Sequence, residues 1–167
     1  VTGPPVITYE AIRLMERAYV QGTVYAFILV GGLTFWMIRR VRETLLALLP
    51  LVLGLVWTIG LMRLFGLQFT LANVWGLPLI IGTSAEFGLN VVMRYLEGRE
   101  HGGPLVARST VMAVALNGLT TIVGFGSLMI AHHRGIFGLG LLLTLGAACA
   151  LLASLVVLPV VLRMIPR

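Results

Sequence analysis

The charged residues of this chain fall at intervals, and each interval is long enough to cross a membrane. Residues 18–38 carry no charge between Arg17 and Arg39. The same holds for 44–62, between Glu43 and Arg63, for 109–133, between Arg108 and Arg134, and for 135–162, between Arg134 and Arg163. The stretch 64–93, between Arg63 and Arg94, carries one charge, Glu86. A spanning helix needs about 20 predominantly apolar residues. Each interval therefore holds one, and the pattern predicts helices at about 20–38, 44–63, 70–95, 108–131 and 137–163. The predicted fold class is all-α: a polytopic membrane protein with a five-helix transmembrane bundle over residues 20–167. Composition agrees. The chain is 59% apolar and 11% charged, with a mean hydropathy of +1.02, whereas soluble domains average roughly 25% charged. A water-soluble domain of 167 residues could not hide that much apolar surface. These figures exclude a disordered chain, a nucleic-acid-binding module and an ordinary cytosolic enzyme.

All twelve basic residues are Arg and all six acids are Glu. The Arg residues alternate in density between successive loops. Eight fall in the loops after the first and third spans and in the tail (Arg39, Arg40, Arg42, Arg94, Arg99, Arg108, Arg163, Arg167). Four fall on the other side (Arg13, Arg17, Arg63, Arg134). The positive-inside rule then puts the C-terminus in the cytoplasm and the N-terminus outside. Residues 1–19 stand apart. Thr2-Gly3-Pro4-Pro5 reads as a breaker cluster. The amphipathic run 8–17 reads as a juxtamembrane helix with Thr8 as its N-cap, or as the wet end of a longer first helix. No signal peptide opens the chain and position 1 is not Met, which fits a segment of a longer protein or a processed one. Pro50, Pro78 and Pro159 lie inside apolar runs, which argues for a packed bundle that satisfies the broken backbone groups. Gly140, Thr144 and Ala148 repeat at four-residue spacing, which allows close helix approach.

Glu86 is the strongest chemical signal. It lies eight residues, about 12 Å along a helix, from the charged end at Arg94. An ionised acid facing lipid at that depth costs at least a few kcal/mol. The physical escape is to face the bundle interior and take up a proton, and such a group can carry protons. Thr83, Glu86 and Asn90 share one helix face, with Ser84 close by. On the fourth span Thr110, Asn117, Thr121 and Gly124 share a face that Thr120 borders. These residues offer hydroxyl and amide partners to Glu86, or serve only to join helices. The adjacent His132 and His133 read as an interfacial loop. The lone Cys149 excludes an intrachain disulfide framework and a Cys-based metal cluster. Arg94, Tyr95, Glu97, Arg99 and Glu100 read as a solvated helix end with i,i+3 pairing. Trp36, Trp57 and Trp75 read as interfacial anchors, with Trp57 deep enough to pack inside. No phosphate loop, nucleophile elbow or zinc-protease motif is present, so no cofactor, metal or enzyme activity is expected.

The order of these motifs resembles the resistance–nodulation–division (RND) transporters, in their MMPL-type branch. The third span carries Gly82-Thr83-Ser84-Ala85-Glu86-Phe87-Gly88 and ends in Arg94-Tyr95-Leu96-Glu97. The fourth carries Asn117-Gly118-Leu119-Thr120-Thr121-Ile122-Val123-Gly124-Phe125. The Arg134-Gly135-Ile136 turn and Leu158-Pro159 also match. The resemblance covers residues 20–163. It implies the last five helices of a second half-transporter, preceded by a remnant of a periplasmic domain in residues 1–19. It maps the family's proton-relay acid onto Glu86. It also maps the adjacent tyrosine onto Phe87, which lacks the hydroxyl. Both departures, Glu for Asp and Phe for Tyr, resemble the hopanoid-exporter subgroup. Position within the helices carries the supporting polar role to Asn90, Asn117 and Thr121.

The function this implies is the membrane half of an exporter of hydrophobic or lipid substrates driven by the proton-motive force. The expected location is the bacterial inner membrane. The implied partners are membrane lipids, protons, the first half-bundle, the periplasmic domains and further copies of the full protein. No nucleic acid is expected. A sterol-sensing-like module, binding lipid to regulate rather than to pump, is the alternative that the same five-helix pattern allows.

Overall fold

The computed structural model describes residues 4–66, 76–100 and 106–164. Among these every regular element is helical: α1 (Pro4–Ile38), α2 (Val41–Leu64), α3 (Gly76–Glu100), α4 (Arg108–Ser127), α5 (Arg134–Leu152) and α6 (Leu158–Met164). A 3-10 turn, Leu128–Ile130, extends α4, and a π-helical turn, Ala153–Val157, joins α5 to α6 in one continuous rod. Five helical rods are long and apolar enough to cross a membrane.

The ends differ from expectation in instructive ways. Pro4 and Pro5 open α1 instead of breaking the chain, because a helix's first turn does not need their missing N–H groups. Thr8 consequently lies inside the helix rather than capping it, and the wet run is continuous with the first span. The third helix runs on to Glu100, where Arg94 and Glu97 pair one turn apart at 2.7 Å. The predicted start of that helix at 70, Trp75, Arg167 and the Thr2-Gly3 pair lie outside the described residues. α1 and α2 are joined by Arg39 and Arg40 alone, and Arg39 takes φ 57° to make so short a turn. α2 places Glu43 in its first turn and Arg63 in its last, both favourable to the helix dipole.

The rod Arg134–Met164 is the centre of the bundle, with α2, α3 and α4 packed around it and α1 on the outside. Close approach makes this possible. A side chain at Gly88 of α3 would collide with the Ala47 carbonyl oxygen of α2. At Gly54 of α2 an added Cβ would lie 2.9 Å from the Cβ of Ala150. At Gly140, one of the small residues picked out by spacing, it would lie 2.8 Å from the Cβ of Leu128 and 3.0 Å from the Phe125 carbonyl oxygen. Lipid tails are as apolar as leucine, so helices associate in a membrane largely through such tight packing. The core fills the space left. Phe87, Val91, Val92 and Tyr95 of α3 meet Ala47, Val114, Ala150, Leu158 and Leu162 near the Arg-rich end. Met62, Ile80, Leu142 and Leu143 form a second cluster at the other end. Trp57 does not join either. It is 39% exposed and faces outward, as does Trp36.

Gly88→Ala is expected to destabilise the bundle by about 1–3 kcal/mol, since backbone must move to admit one methyl. Gly60→Ala, with nothing within 4 Å of the new carbon, is the control and is expected to be neutral or slightly stabilising. Thermal unfolding in detergent reads both. Equal melting temperatures for the two variants would remove the close α2–α3 contact.

Candidate functional site

The α3 helix divides cleanly into two sides. Ile81, Ser84, Ala85, Phe87, Gly88, Val91, Val92 and Tyr95 are buried. Leu79, Gly82, Glu86, Asn90, Arg94 and Glu97 are exposed. Glu86 therefore does not face the interior of these five helices, contrary to the sequence expectation. It lies on an open face. The reason is the apolar phase of α3. Phe87, Gly88, Val91 and Val92 point into the core, and Glu86 falls nearly opposite their mean direction on the helical wheel.

Across that face stands α4. Asn117 Nδ2 donates to Glu86 Oε1 at 2.8 Å, bridging the two helices. A carboxamide suits a group that gains and loses a proton. Its N–H₂ donates to a carboxylate, and its oxygen, brought round by rotation, accepts from a protonated carboxyl. Of the expected polar partners, Asn117 alone bonds Glu86 among the hydrogen bonds of the described residues. Asn90 shares the open face one turn away. The hydroxyls of Thr120 and Thr121 donate instead to the Asn117 backbone carbonyl, at 2.7 and 2.9 Å. Thr83 likewise returns to its own helix, donating to the Leu79 and Ile80 carbonyls at 3.2 Å. Ser84 sits on the buried side, its Oγ without a hydrogen-bond partner among the described residues. Helical spacing placed Ser84 close to the Glu86 stripe, but the fold buries it. Nor could spacing show that threonine in a helix often bonds the carbonyl a turn behind.

Phe87 is wholly buried. Its place in the apolar core accounts for the absence of a hydroxyl, which would need a partner there. His133 Nδ1 accepts from the Gly135 N–H at 3.2 Å and so caps α5. Among the described residues no three His, Cys, Asp or Glu side chains converge in a way that could hold a metal. Sequence reasoning treated Arg94 and Glu97 as a solvated helix end only. They also line the gap between α3 and α4, together with Asn90 and Thr110. Their place eight and eleven residues after Glu86, on the same helix stripe, was the available signal.

The described residues thus form five helical rods long and apolar enough to cross a membrane, with an acid on an exposed face bonded by an amide of the next helix. Comparison with known proteins finds two membrane transporters and a further membrane protein among its relatives. A hopanoid transporter HpnN of Burkholderia multivorans is 28% identical over 158 residues, and that of Rhodopseudomonas palustris is 28% identical over the same length. Each alignment covers 95% of this chain and 18% of the transporter. A putative membrane protein of Methanocaldococcus jannaschii is 27% identical over 164 residues, 42% of its own length. The RND-type, hopanoid-exporter-like resemblance seen in the third and fourth spans is thus reproduced over nearly the whole chain. The chain spans less than a fifth of the length of those hopanoid transporters. No protein-family profile matches it, and no solved structure does.

A double-mutant cycle with Glu86→Ala and Asn117→Ala is expected to give a coupling of about 0.6 kcal/mol, the usual worth of an interhelical hydrogen bond in a membrane. Unfolding of the four proteins in bicelles measures it. Additive losses would mean that the two side chains do not meet.

Proposed function

We propose that this chain is a membrane module of a longer proton-driven exporter of lipid-like substrates, and that Glu86 is its proton-carrying group. The observation that carries the proposal is the Glu86–Asn117 hydrogen bond on an open helix face at membrane depth. A carboxyl there is costly against lipid. One amide satisfies only part of its hydrogen-bonding capacity. A covering surface from the rest of the transporter, the first half-bundle in the RND pattern, removes the face from lipid and completes the site. The transporters among its relatives, much longer than this chain, support that assembly. The hopanoids for which those relatives are named support a hydrophobic lipid cargo. They also favour transport over the sterol-sensing-like alternative and over catalysis.

In this reading the proton enters from the exterior side and binds the Glu86 carboxyl. Neutral and ionised carboxyls differ in their cost of burial. Protonation therefore biases the bundle between two arrangements, and the bias equals the differential cost. The Asn117 amide follows by rotating to present its oxygen or its N–H₂. The periplasmic domains of the longer protein convert that motion into lipid movement. The orientation is that of the Arg distribution, with the C-terminus in the cytoplasm of a bacterial inner membrane. Further copies of the full protein complete the assembly.

Glu86→Gln, which keeps the shape and an acceptor for Asn117 but cannot ionise, is expected to reduce substrate export to background. Expression and membrane insertion are expected to stay at wild-type levels. Export is measured as appearance of the lipid in the outer leaflet or outer membrane. Wild-type export in this variant would sink the proposal.

A further inference from the structure

Among the described residues, α1 and α4 both pack on α3 and make no contact with each other. A groove is left between them, floored by α3, at the Arg-rich end. It holds two cavities of about 350 and 460 Å³, within the range of about 300–1,000 Å³ usual for small-molecule sites. Arg94, Glu97, Thr110 and Ala113 line both, so the two adjoin. The rest of their walls differ. The deeper cavity adds Met37 of α1, Leu89, Asn90 and Met93 of α3, and Val114 of α4. The outer one adds Gly98, Ala107 and Ser109 near the helix ends. The groove is therefore mostly apolar toward the middle of the membrane and polar at its rim.

Three observations define the chemistry of the rim. It holds both signs of charge, since Arg94 Nη1 bonds Glu97 Oε2 at 2.7 Å while both side chains stay more than half exposed. A guanidinium has five N–H donors and a carboxylate about four acceptor positions, so one bond does not exhaust the pair. Next, α4 begins at this rim with no side-chain cap at Ala107. The positive end of the helix dipole thus borders the outer cavity through Ala107 and Ser109. Last, Thr110 is only 7% exposed, yet it lines both cavities and its hydroxyl makes no hydrogen bond among the described residues. Thr34, Thr44, Thr58 and Thr144 all donate to a carbonyl one turn behind. Thr110 is the third residue of α4. It has no helical turn behind it, and its hydroxyl is left for a ligand.

We infer that this groove seats one membrane glycerophospholipid whose headgroup carries both a phosphate and a primary ammonium. The phosphate meets the Arg94 guanidinium, the Ser109 and Thr110 hydroxyls and the start of α4, a charge-assisted set of donors. The ammonium meets the Glu97 carboxylate. One acyl chain lies along Met37, Leu89, Met93 and Val114. A purely anionic headgroup brings no cation to Glu97. A quaternary ammonium brings a cation with no N–H to donate. The lipid ties α1 to α4, which do not touch, and it is a resident of the fold rather than its cargo. The inference depends neither on the export reading nor on Glu86.

The test uses the protein as the cell makes it, in detergent, by native mass spectrometry with added phosphatidylethanolamine, phosphatidylcholine or phosphatidylglycerol. One phosphatidylethanolamine is expected to stay bound in preference to either of the others. Arg94→Leu removes a charge-assisted contact and is expected to weaken binding about tenfold. Ala113→Trp, at an exposed position that borders both cavities, is expected to abolish binding and leave the fold intact. Glu97→Gln is expected to remove the preference over phosphatidylcholine. Arg163→Gln, at the same end of the bundle but outside both cavities, is expected to change nothing. Equal retention of the three lipids by the wild type overturns the inference. Binding that survives Ala113→Trp, or that falls as much in Arg163→Gln as in Arg94→Leu, overturns it too. So does the absence of any bound lipid, the result if another helix of the longer protein fills the groove.

Discussion

Everything in this bundle depends on how near the helices can come. A membrane offers little hydrophobic reward for bringing one apolar helix to another, so dispersion contacts between backbones must hold the rods together. The close approach at Gly88 and Ala47 sets the distance between α2 and α3. The approaches at Gly54 and Gly140 lock α2 and α4 onto the central rod. Once these are set, the rotation of α3 is no longer free. Phe87, Val91 and Tyr95 go inward, and Glu86 is left on the side where α4 is the only described neighbour able to answer it.

That order of cause explains how much could be read in advance. The charges mark the second and fifth rods to within three residues, because hydrocarbon thickness and the cost of burying charge act on sequence directly. The second span was expected at 44–63 and lies at Val41–Leu64. The fifth was expected at 137–163 and lies at Arg134–Met164. The amphipathic opening was harder. Two prolines can stop a helix or start one, and composition cannot choose. Trp57 was harder still, since its depth is visible in sequence and its azimuth is not.

The site was legible as a set of faces and illegible as a set of partners. Periodicity put Glu86 with Asn90, and Asn117 with Thr121. The cost of an acid against lipid pointed Glu86 inward, whereas the apolar phase of α3 turns it outward. Nor did periodicity separate a threonine that reaches across helices from one that bonds the turn behind it, as Thr83, Thr120 and Thr121 do. Asn117 stands out only when its amide is seen against the carboxylate.

The π-helical turn at Ala153–Val157 bears on how such a chain tolerates change. Pro159 gives no N–H to the carbonyl four residues before it, Leu155, and the widened turn occupies that stretch. The rod thus has two azimuthal phases, one before the turn and one after, and Leu158 and Leu162 reach the core only in the second. Loss of a single residue there would leave length, hydropathy and charge spacing nearly untouched. It would still swing the C-terminal end of the rod round by about 100°. A spacer of one residue can therefore be as strict as any side chain, and a hydropathy profile is blind to it.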